Sequence, residues 1–172
     1  MNEVLKAMKA RRSCRTFKPD MVPADVLDQI LEAGTYAASG MGKQSPIIVA
    51  VTDKETRDKL SAMNAAVMGV KADPFYGGPV VLIVLADKQI PTYKYDGSLV
   101  MGNLMLAAES LGVNSIWIHR AKEEFESEEG KAMLKAWGIE GDYEGIGHCV
   151  LGYTAKELPP AKERKANYIY KV

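Results

Sequence analysis

The sequence predicts a mixed fold in which helices alternate with short apolar strands, in one domain that spans residues 1–172. Three observations support this prediction. Several runs of β-branched and other apolar residues are too short for buried helices, and longer segments repeat apolar residues every three or four positions. No Pro-, Gly- or Ser-rich linker divides the chain. Periodicity alone favours a doubly wound α/β sheet and leaves the strand directions open.

The first half of the chain is predicted to contain three helices and one strand. A short amphipathic stripe at 4–8 is followed by a stronger helix that begins at Pro23, a residue suited to a first helical position. A loop of small residues, the 37–44 loop, then leads to a buried strand at 47–51. Asp53 has the side chain of an N-cap, so the next helix is expected to begin there.

The second half of the chain is predicted to contain two helices and the remaining strands. The strands are apolar runs at 80–86, 114–119 and 147–153. The helix at 96–111 ends before Gly112 and is apolar almost all round, which is typical of a central or subunit-interface helix. Another helix is expected around Met133, Leu134 and Trp137. From about residue 158 the chain is basic and extended, and we call this segment the C-terminal arm.

Charge and composition exclude several classes of protein. The 22 Lys and Arg residues balance the 22 Asp and Glu residues, which argues against binding to nucleic acid or to a membrane surface through bulk charge. Two cysteines and two histidines without metal spacing make a metal site unexpected. Without an apolar signal core or an apolar run near the roughly 20 residues of a membrane span, the expected location is the cytoplasm.

A front cluster of Arg11, Arg12, Ser13 and Arg15 follows the first predicted helix. Arginine presents a planar fork of donors that matches phosphate oxygens, and a serine hydroxyl adds another donor. Two or three such bonds, each worth roughly 1.5–3 kcal/mol, could hold a dianionic group. A solvated turn with surface ion pairs would have the same composition, so the segment alone does not decide between the two interpretations.

A second basic group lies in the C-terminal arm. Lys162 and Arg164 follow Pro159 and Pro160, which stiffen the chain. The hypothesis is that the arm docks and that both clusters converge on one anion, whereas a frayed, solvated end is the alternative. The usual glycine-rich phosphate loops are absent. The small residues of the 37–44 loop still permit a close backbone approach to a flat ring.

Four segments in order resemble motifs of the nitroreductase family of FMN-dependent oxidoreductases. The first is Arg11 to Phe17, which is similar to the family's opening R-[RH]-S-x-R-x-F. The second is Ala37 to Pro46, the third is the helical stretch from Asp96 to Gly112, and the fourth is Leu151-Gly152-Tyr153 with Lys162 and Arg164 beyond it. Together they cover nearly the whole chain.

The resemblance implies an α+β fold with a mainly antiparallel sheet flanked by helices, which replaces the doubly wound sheet favoured by periodicity. It also implies an intertwined homodimer with two FMN sites at the interface. The residues that it places around FMN are Arg11, Ser13, Lys162 and Arg164 at the phosphate, Arg12 along the ribityl chain or ring edge, Arg15 at N1 and O2 of the ring, Ala38, Ser39 and Gly40 from the other subunit, and Asn64 at the pyrimidine edge.

The implied activity is transfer of hydride or electrons from NADH or NADPH to nitroaromatic, quinone or similar small-molecule acceptors by a ping-pong mechanism. The flavin would carry the chemistry, with no dedicated catalytic side chain and with the charge of Arg15 tuning N1 and O2. A flavin reductase, a dehalogenating reductase and a non-catalytic FMN-binding protein are the alternatives. Gly42 replaces a frequent Asn and Ala38 a frequent Pro of the family motif, which leaves their effect on FMN affinity open.

Overall fold

Four antiparallel strands form one sheet in the computed structural model, which describes residues 1–172. The strands are β1 (Pro46–Val51), β2 (Val80–Asp87), β3 (Asn114–Ile118) and β4 (Tyr143–Gly152), arranged in the order β1-β2-β4-β3. Every neighbouring pair is antiparallel, which confirms the direction implied by the resemblance and corrects the doubly wound sheet. The apolar run of β2 is therefore the mark of a central strand covered on both faces, a pattern that parallel strands also have.

Six helices flank the sheet. They are α1 (Glu3–Ala10), α2 (Ala24–Thr35), α3 (Lys54–Met68), α4 (Tyr93–Ser110), α5 (Ala121–Glu126) and α6 (Glu128–Ala136). Helices α2 and α4 cover one face of the sheet, where they enclose a core around Leu82, Val84 and Leu104. Helices α3, α5 and α6 cover the other face, around Leu60, Ile83 and Phe125. Alternate residues of β2 thus enter two separate cores.

The predicted elements are found with shifted ends and one omission. Asp53 is the N-cap of α3 and accepts a hydrogen bond from the Thr56 amide at 2.8 Å, as predicted. Strand β4 begins earlier than expected, at Tyr143, and α5 was not predicted because its six residues are mostly charged. Strand β1 is not fully buried as predicted, because it lies at the edge of the sheet and Ala50 is exposed.

Both ends of the chain present side chains to solvent. The apolar stripe predicted on α1 is found, yet Val4, Leu5 and Met8 are exposed and only Ala7 is buried. The C-terminal arm contains one short 3-10 turn at Ala166–Tyr168 and is otherwise irregular. None of the helices combines the length and the apolar character that crossing a membrane requires.

Candidate functional site

The front cluster is fixed in place by an extension of the sheet. After α1 ends, Ser13 forms a parallel bridge with Ser115 on β3, and the Cys14 amide donates to the Ser115 carbonyl at 3.0 Å. The chain then turns, and the Phe17 amide donates to the Tyr76 carbonyl at 3.2 Å. Cys14 is completely buried, so it anchors the segment as a packing residue. Arg15 lies between these two attachments and is exposed.

Arg11 and Arg12 carry buried donors that have no partner. The Arg11 Nη1 atom and the Arg12 Nε atom are both inaccessible to solvent and form no hydrogen bond. Arg12 Nη1 is occupied, since it donates to the carbonyls of Lys9 and Arg11 at 2.7 Å each. An unsatisfied buried donor costs about 1–3 kcal/mol, and more when it is charged. An anion bound beside Arg11 would remove that cost, so these residues fit a phosphate group.

The other two members of the front cluster have free polar groups. Neither the Ser13 hydroxyl nor the Arg15 guanidinium takes part in a hydrogen bond or an ion pair, although the half-buried Ser13 backbone is held by β3. Arg11 also lies near Cys149: burial raises the pKa of the Cys149 thiol to about 12, and the positive charge of Arg11 opposes this shift. Cys149 is therefore an unreactive thiol beside the cluster.

The C-terminal arm does not reach the front cluster of its own chain. Lys162 and Arg164 are exposed, and Arg164 donates from Nε and Nη2 to the Lys162 carbonyl at 3.1 and 2.6 Å. Lys165 lies over the ring of Tyr168, 5.3 Å from its centroid, within the arm itself. One chain alone therefore does not bring together the two basic groups that the sequence predicts to converge.

The 37–44 loop has a strained and ordered backbone. Met41, Gly42 and Gln44 have φ angles of 52°, 65° and 50°, in the left-handed region that non-glycine residues avoid. Each non-glycine residue in such a conformation costs about 1–3 kcal/mol and persists only where its surroundings impose it. The Ser39 hydroxyl accepts a hydrogen bond from the Gln44 amide at 3.0 Å, which closes the turn. Met41 is 84% exposed at its tip.

Asp96 on α4 joins this loop to the body of the protein. Its carboxylate accepts hydrogen bonds from the Gly40 amide at 2.9 Å, the Ser45 hydroxyl at 2.7 Å and the Thr92 hydroxyl at 3.0 Å. Burial raises the pKa of Asp96, but the hydrogen bonds from Ser45, Gly40 and Thr92 outweigh burial and hold the pKa below its usual value. This role of Asp96 was not predicted from the sequence, although an acid in the first turn of a largely apolar helix was a usable signal.

Gly40 lies directly against Thr92, the N-cap residue of α4. A Cβ atom built on Gly40 would lie 2.3 Å from the Thr92 hydroxyl oxygen, closer than real side-chain contacts allow. The absence of a side chain therefore lets the Gly40 amide reach Asp96. Ala38 is exposed and Ser39 is half-buried beside it. No hydrogen bond joins the 37–44 loop to the front cluster within the chain.

Asn64 is completely buried and belongs to a polar network at the far end of β3. Its amide nitrogen donates to the His119 carbonyl and to Glu124 Oε2 at 2.8 Å each, and its oxygen accepts from Arg120 Nε at 2.9 Å. Glu124 Oε2 lies 2.5 Å from His148 Nε2. The contact of Asn64 with a flavin ring stays a prediction, and the structure adds a role as the link between Arg120 and Glu124.

The network also holds a strained turn. Arg120, which follows β3 and precedes α5, has a φ of 78°. The four steps along the chain from Ser115 to His119 span roughly 13 Å at the usual rise of a strand. The front cluster and the Asn64 network therefore lie towards opposite ends of the same edge strand. A flat ligand extended along β3 could reach from one to the other.

Comparisons with known proteins agree on one family. A sequence profile of the nitroreductase family matches residues 8–153. The solved structure of a nitroreductase with bound FMN from Bacteroides fragilis has a TM-score of 0.91 and 31% identity, covering 100% of both chains.

Two further relatives are similar over part of their length. An NADH dehydrogenase/NAD(P)H nitroreductase, by its provisional name, from Methanothermobacter thermautotrophicus is 31% identical over 67% of this chain and 60% of its own length. An FMN reductase [NAD(P)H] from Bacillus subtilis is 28% identical over 67% of this chain and 53% of its own length. The matched regions thus span somewhat more than half the length of each of these relatives.

Proposed function

Because the chain belongs to the nitroreductase family, we propose that it is an FMN-dependent oxidoreductase that takes reducing equivalents from NADH or NADPH. The observation that carries this proposal is the pair of buried, unpartnered donors on Arg11 and Arg12 beside the free hydroxyl of Ser13. An anion of the size of a phosphate would satisfy these donors. The FMN-bound structure from Bacteroides fragilis, which matches along the whole chain, supports FMN as the source of that phosphate.

The proposed binding residues contact different parts of the cofactor. Arg11 and Ser13 hold the phosphate together with Lys162 and Arg164, and Arg12 lies along the ribityl chain or the ring edge. Arg15 faces N1 and O2 of the ring, and Asn64 lies at its pyrimidine edge. A second subunit contributes Ala38, Ser39 and Gly40. When bound, FMN supplies the acceptance and donation of hydride and electrons, which no side chain of the protein can perform.

The chain's own residues supply position and charge. The free guanidinium of Arg15 is available to stabilise negative charge that develops at N1 and O2, because a pre-placed cation needs no reorganisation during the reaction. Arg11 is held between α1 and β3. Its proposed role is to anchor the cofactor, whereas Arg15 tunes the redox chemistry of the ring. The donor and the acceptor use the same open face in turn, which is the basis for proposing ping-pong kinetics. Nitroaromatic compounds and quinones are the proposed acceptors.

The proposed assembly is an intertwined homodimer. Exposed apolar side chains on α1, at Val4, Leu5 and Met8, and on α4, at Tyr95 and Leu99, leave surfaces suited to a partner. A groove of about 470 Å³ between α2 and β1 is lined mainly by apolar residues. Because the C-terminal arm does not dock on its own chain, a partner's arm is the proposed source of Lys162 and Arg164 at each site. The cytoplasm, where thiols such as Cys14 and Cys149 stay reduced, is the proposed location.

The cofactor proposal is tested by flavin content. The purified protein should be yellow, and an Arg11→Ala/Arg164→Ala double variant should lose FMN while keeping its circular dichroism spectrum and its dimeric sedimentation. The matched control is Lys9→Ala/Lys171→Ala, which removes two charges from the same two segments but leaves the proposed phosphate ligands intact. A colourless wild-type protein that takes up no added FMN would disprove the proposal.

The activity is tested by turnover. Initial rates with NADH and with NADPH, each against a panel of nitroaromatics, quinones, free flavin and halogenated phenols, should give parallel double-reciprocal lines for at least one acceptor. A strong preference for free flavin or for a halogenated phenol would indicate the flavin reductase or the dehalogenating alternative. A protein that holds FMN but oxidises neither nucleotide would be a non-catalytic flavin-binding protein.

A further inference from the structure

We propose that Asp96 is the positioning residue of the FMN site: its buried carboxylate holds the 37–44 loop in the conformation in which the loop contacts the cofactor. This inference rests on the proposed function, because it takes Ala38, Ser39 and Gly40 as cofactor contacts. Asp96 itself touches no cofactor in this proposal. It acts through the backbone of Gly40 and through the hydroxyl of Ser45.

The geometry of the carboxylate supports this role. Asp96 is 3% exposed, and its two oxygens accept three hydrogen bonds from three different parts of the chain. Oδ1 accepts from the Gly40 amide, and Oδ2 accepts from the hydroxyls of Ser45 and Thr92. Two of these donors lie in or beside the 37–44 loop, more than fifty positions away in sequence, and the third, Thr92, is the N-cap residue of α4. The carboxylate therefore ties the loop to the start of the helix.

The backbone of the 37–44 loop is strained, and the Asp96 carboxylate holds it in that strained conformation. The left-handed conformations of Met41 and Gln44 are unfavourable for their residue types, so a free loop would relax out of them. Within the loop, the Gly42 and Lys43 amides donate to the carbonyls of Ser39 and Gly40 at 3.0 Å each, and the Gln44 amide donates to the Ser39 hydroxyl. Asp96 fixes the two ends of the strained stretch, Gly40 and Ser45, to the rigid helix. The bonds within the loop define the turn, and Asp96 fixes that turn to the helix from outside the loop.

Asp73 provides a matched control elsewhere in the chain. Its carboxylate also accepts several hydrogen bonds, from Arg57 Nη2 and Ser61 Oγ at 2.6 Å each and from the amides of Phe75 and Gly77 at 2.9 and 2.8 Å. It organises the connection between α3 and β2, which contains none of the proposed cofactor ligands. Loss of Asp73 should therefore reduce stability without altering the 37–44 loop.

The experiment measures the loop and the cofactor separately. Hydrogen exchange of residues 39–45 is followed in the FMN-free protein, and the dissociation constant of FMN is measured by fluorescence titration. In Asp96→Ala we expect exchange in the loop to rise about tenfold or more as local opening becomes easier, and FMN binding to weaken by about 10- to 100-fold. In Asp73→Ala the melting temperature falls, while loop exchange and the FMN dissociation constant stay near those of the wild type.

Two further variants guard against misfolding. Asp96→Asn keeps an acceptor for the Gly40 amide, and its amide nitrogen can donate to the Ser45 hydroxyl once that hydroxyl turns. It should therefore retain most of the FMN affinity that Asp96→Ala loses, which a mere loss of buried charge would not explain. Ser45→Ala removes one donor and should produce a smaller rise in loop exchange, even if Asp96→Ala does not fold.

Different results overturn different parts of the proposal. Unchanged loop exchange in both Asp96→Ala and Ser45→Ala would show that the carboxylate is not the anchor. Faster exchange with wild-type FMN affinity would show that the loop does not contribute to the cofactor site, and equal weakening in Asp73→Ala would reduce the effect to general destabilisation. A wild-type protein that binds no FMN would overturn the proposed function and the cofactor half of this inference, while the exchange data would still confirm or overturn the anchor.

Discussion

The front cluster and the C-terminal arm are both basic, but the first is half-buried and held in place whereas the second is exposed. Arg11 and Arg12 are half-buried, are held between α1 and β3, and contain donors with no partner. Lys162 and Arg164 are exposed, and the Arg164 donors are occupied by a carbonyl within the arm. One half of the proposed phosphate site is thus built before any ligand arrives, and the other half must be ordered by association. In the proposed dimer, contacts with the partner subunit offset most of the cost of ordering the arm, and the cofactor phosphate adds to them.

Removal of the arm should produce the largest effect. A chain that ends at Lys156 lacks the two proposed cationic ligands, each worth roughly 1.5–3 kcal/mol, so FMN affinity should fall by roughly 100-fold to 10,000-fold. The dimer should dissociate as well, whereas the sheet and helices should remain because the arm contributes to neither core. Sedimentation, flavin titration and circular dichroism check the three expectations. A truncated chain that stays dimeric and yellow would show that the front cluster suffices.

Substitution of Arg11 should have the next largest effect. Arg11→Ala removes a buried, charge-assisted contact and should weaken FMN binding by roughly 10- to 150-fold, with the dimer intact. Arg11→Lys keeps the charge but loses the planar fork, so it should recover only part of the affinity. The thermal stability of the FMN-free Arg11→Ala protein should not fall, because the variant also removes an unsatisfied donor. A lower melting temperature without FMN would mean that Arg11 stabilises the fold instead.

Most of the strands and helices could be predicted from the sequence, because burial leaves a repeating apolar pattern. The four strands were found from apolar runs, a pattern that burial on both faces imposes on β2 and β4 whatever the strand direction. The strand directions came from the resemblance and not from periodicity. The apolar run of β2 is also typical of a parallel strand, yet β2 is antiparallel to both of its neighbours. Helix α5 was missed because six residues rich in Glu and Lys have no apolar period to detect.

The site was predictable only in part, for a related reason. Arg11, Arg12 and Ser13 form a local motif, so their proximity follows from sequence. Asp96 and Gly40 come together across the fold, and no local pattern states that a carboxylate in α4 accepts the Gly40 amide. The buried link from Asn64 to Arg120 and Glu124 is likewise a product of packing between α3, β3 and α5.

The salt dependence of FMN affinity should distinguish Arg164 in the C-terminal arm from Arg11 in the front cluster. The exposed Arg164 acts through solvent, where the screening length falls from about 10 Å at 0.1 M salt to about 3 Å at 1 M. The loss of FMN affinity caused by Arg164→Ala should therefore be greatest at low salt and should shrink as salt is added. The loss caused by Arg11→Ala should change less, because the Arg11 Nη1 donor is shielded from solvent. Titrations of both variants across this salt range test the difference. Equal salt dependence would mean that the two arginines share one environment.

The reactivity of Cys149 should show the smallest effect and is a probe of how closed the front cluster is. Burial raises the pKa of Cys149 to about 12, and Arg11 alone opposes that shift, so the thiol stays protonated across the ordinary working range of pH. Iodoacetamide at pH 8.5 should leave Cys149 unmodified in the folded protein and alkylate it in urea, with mass spectrometry of the peptide as the measurement. Arg11→Ala removes a charge that lowers the pKa, so it should make the thiol no more reactive. Faster alkylation in that variant would mean that Arg11 closes the pocket as a packing group, and its role in the front cluster would then be steric as well as ionic.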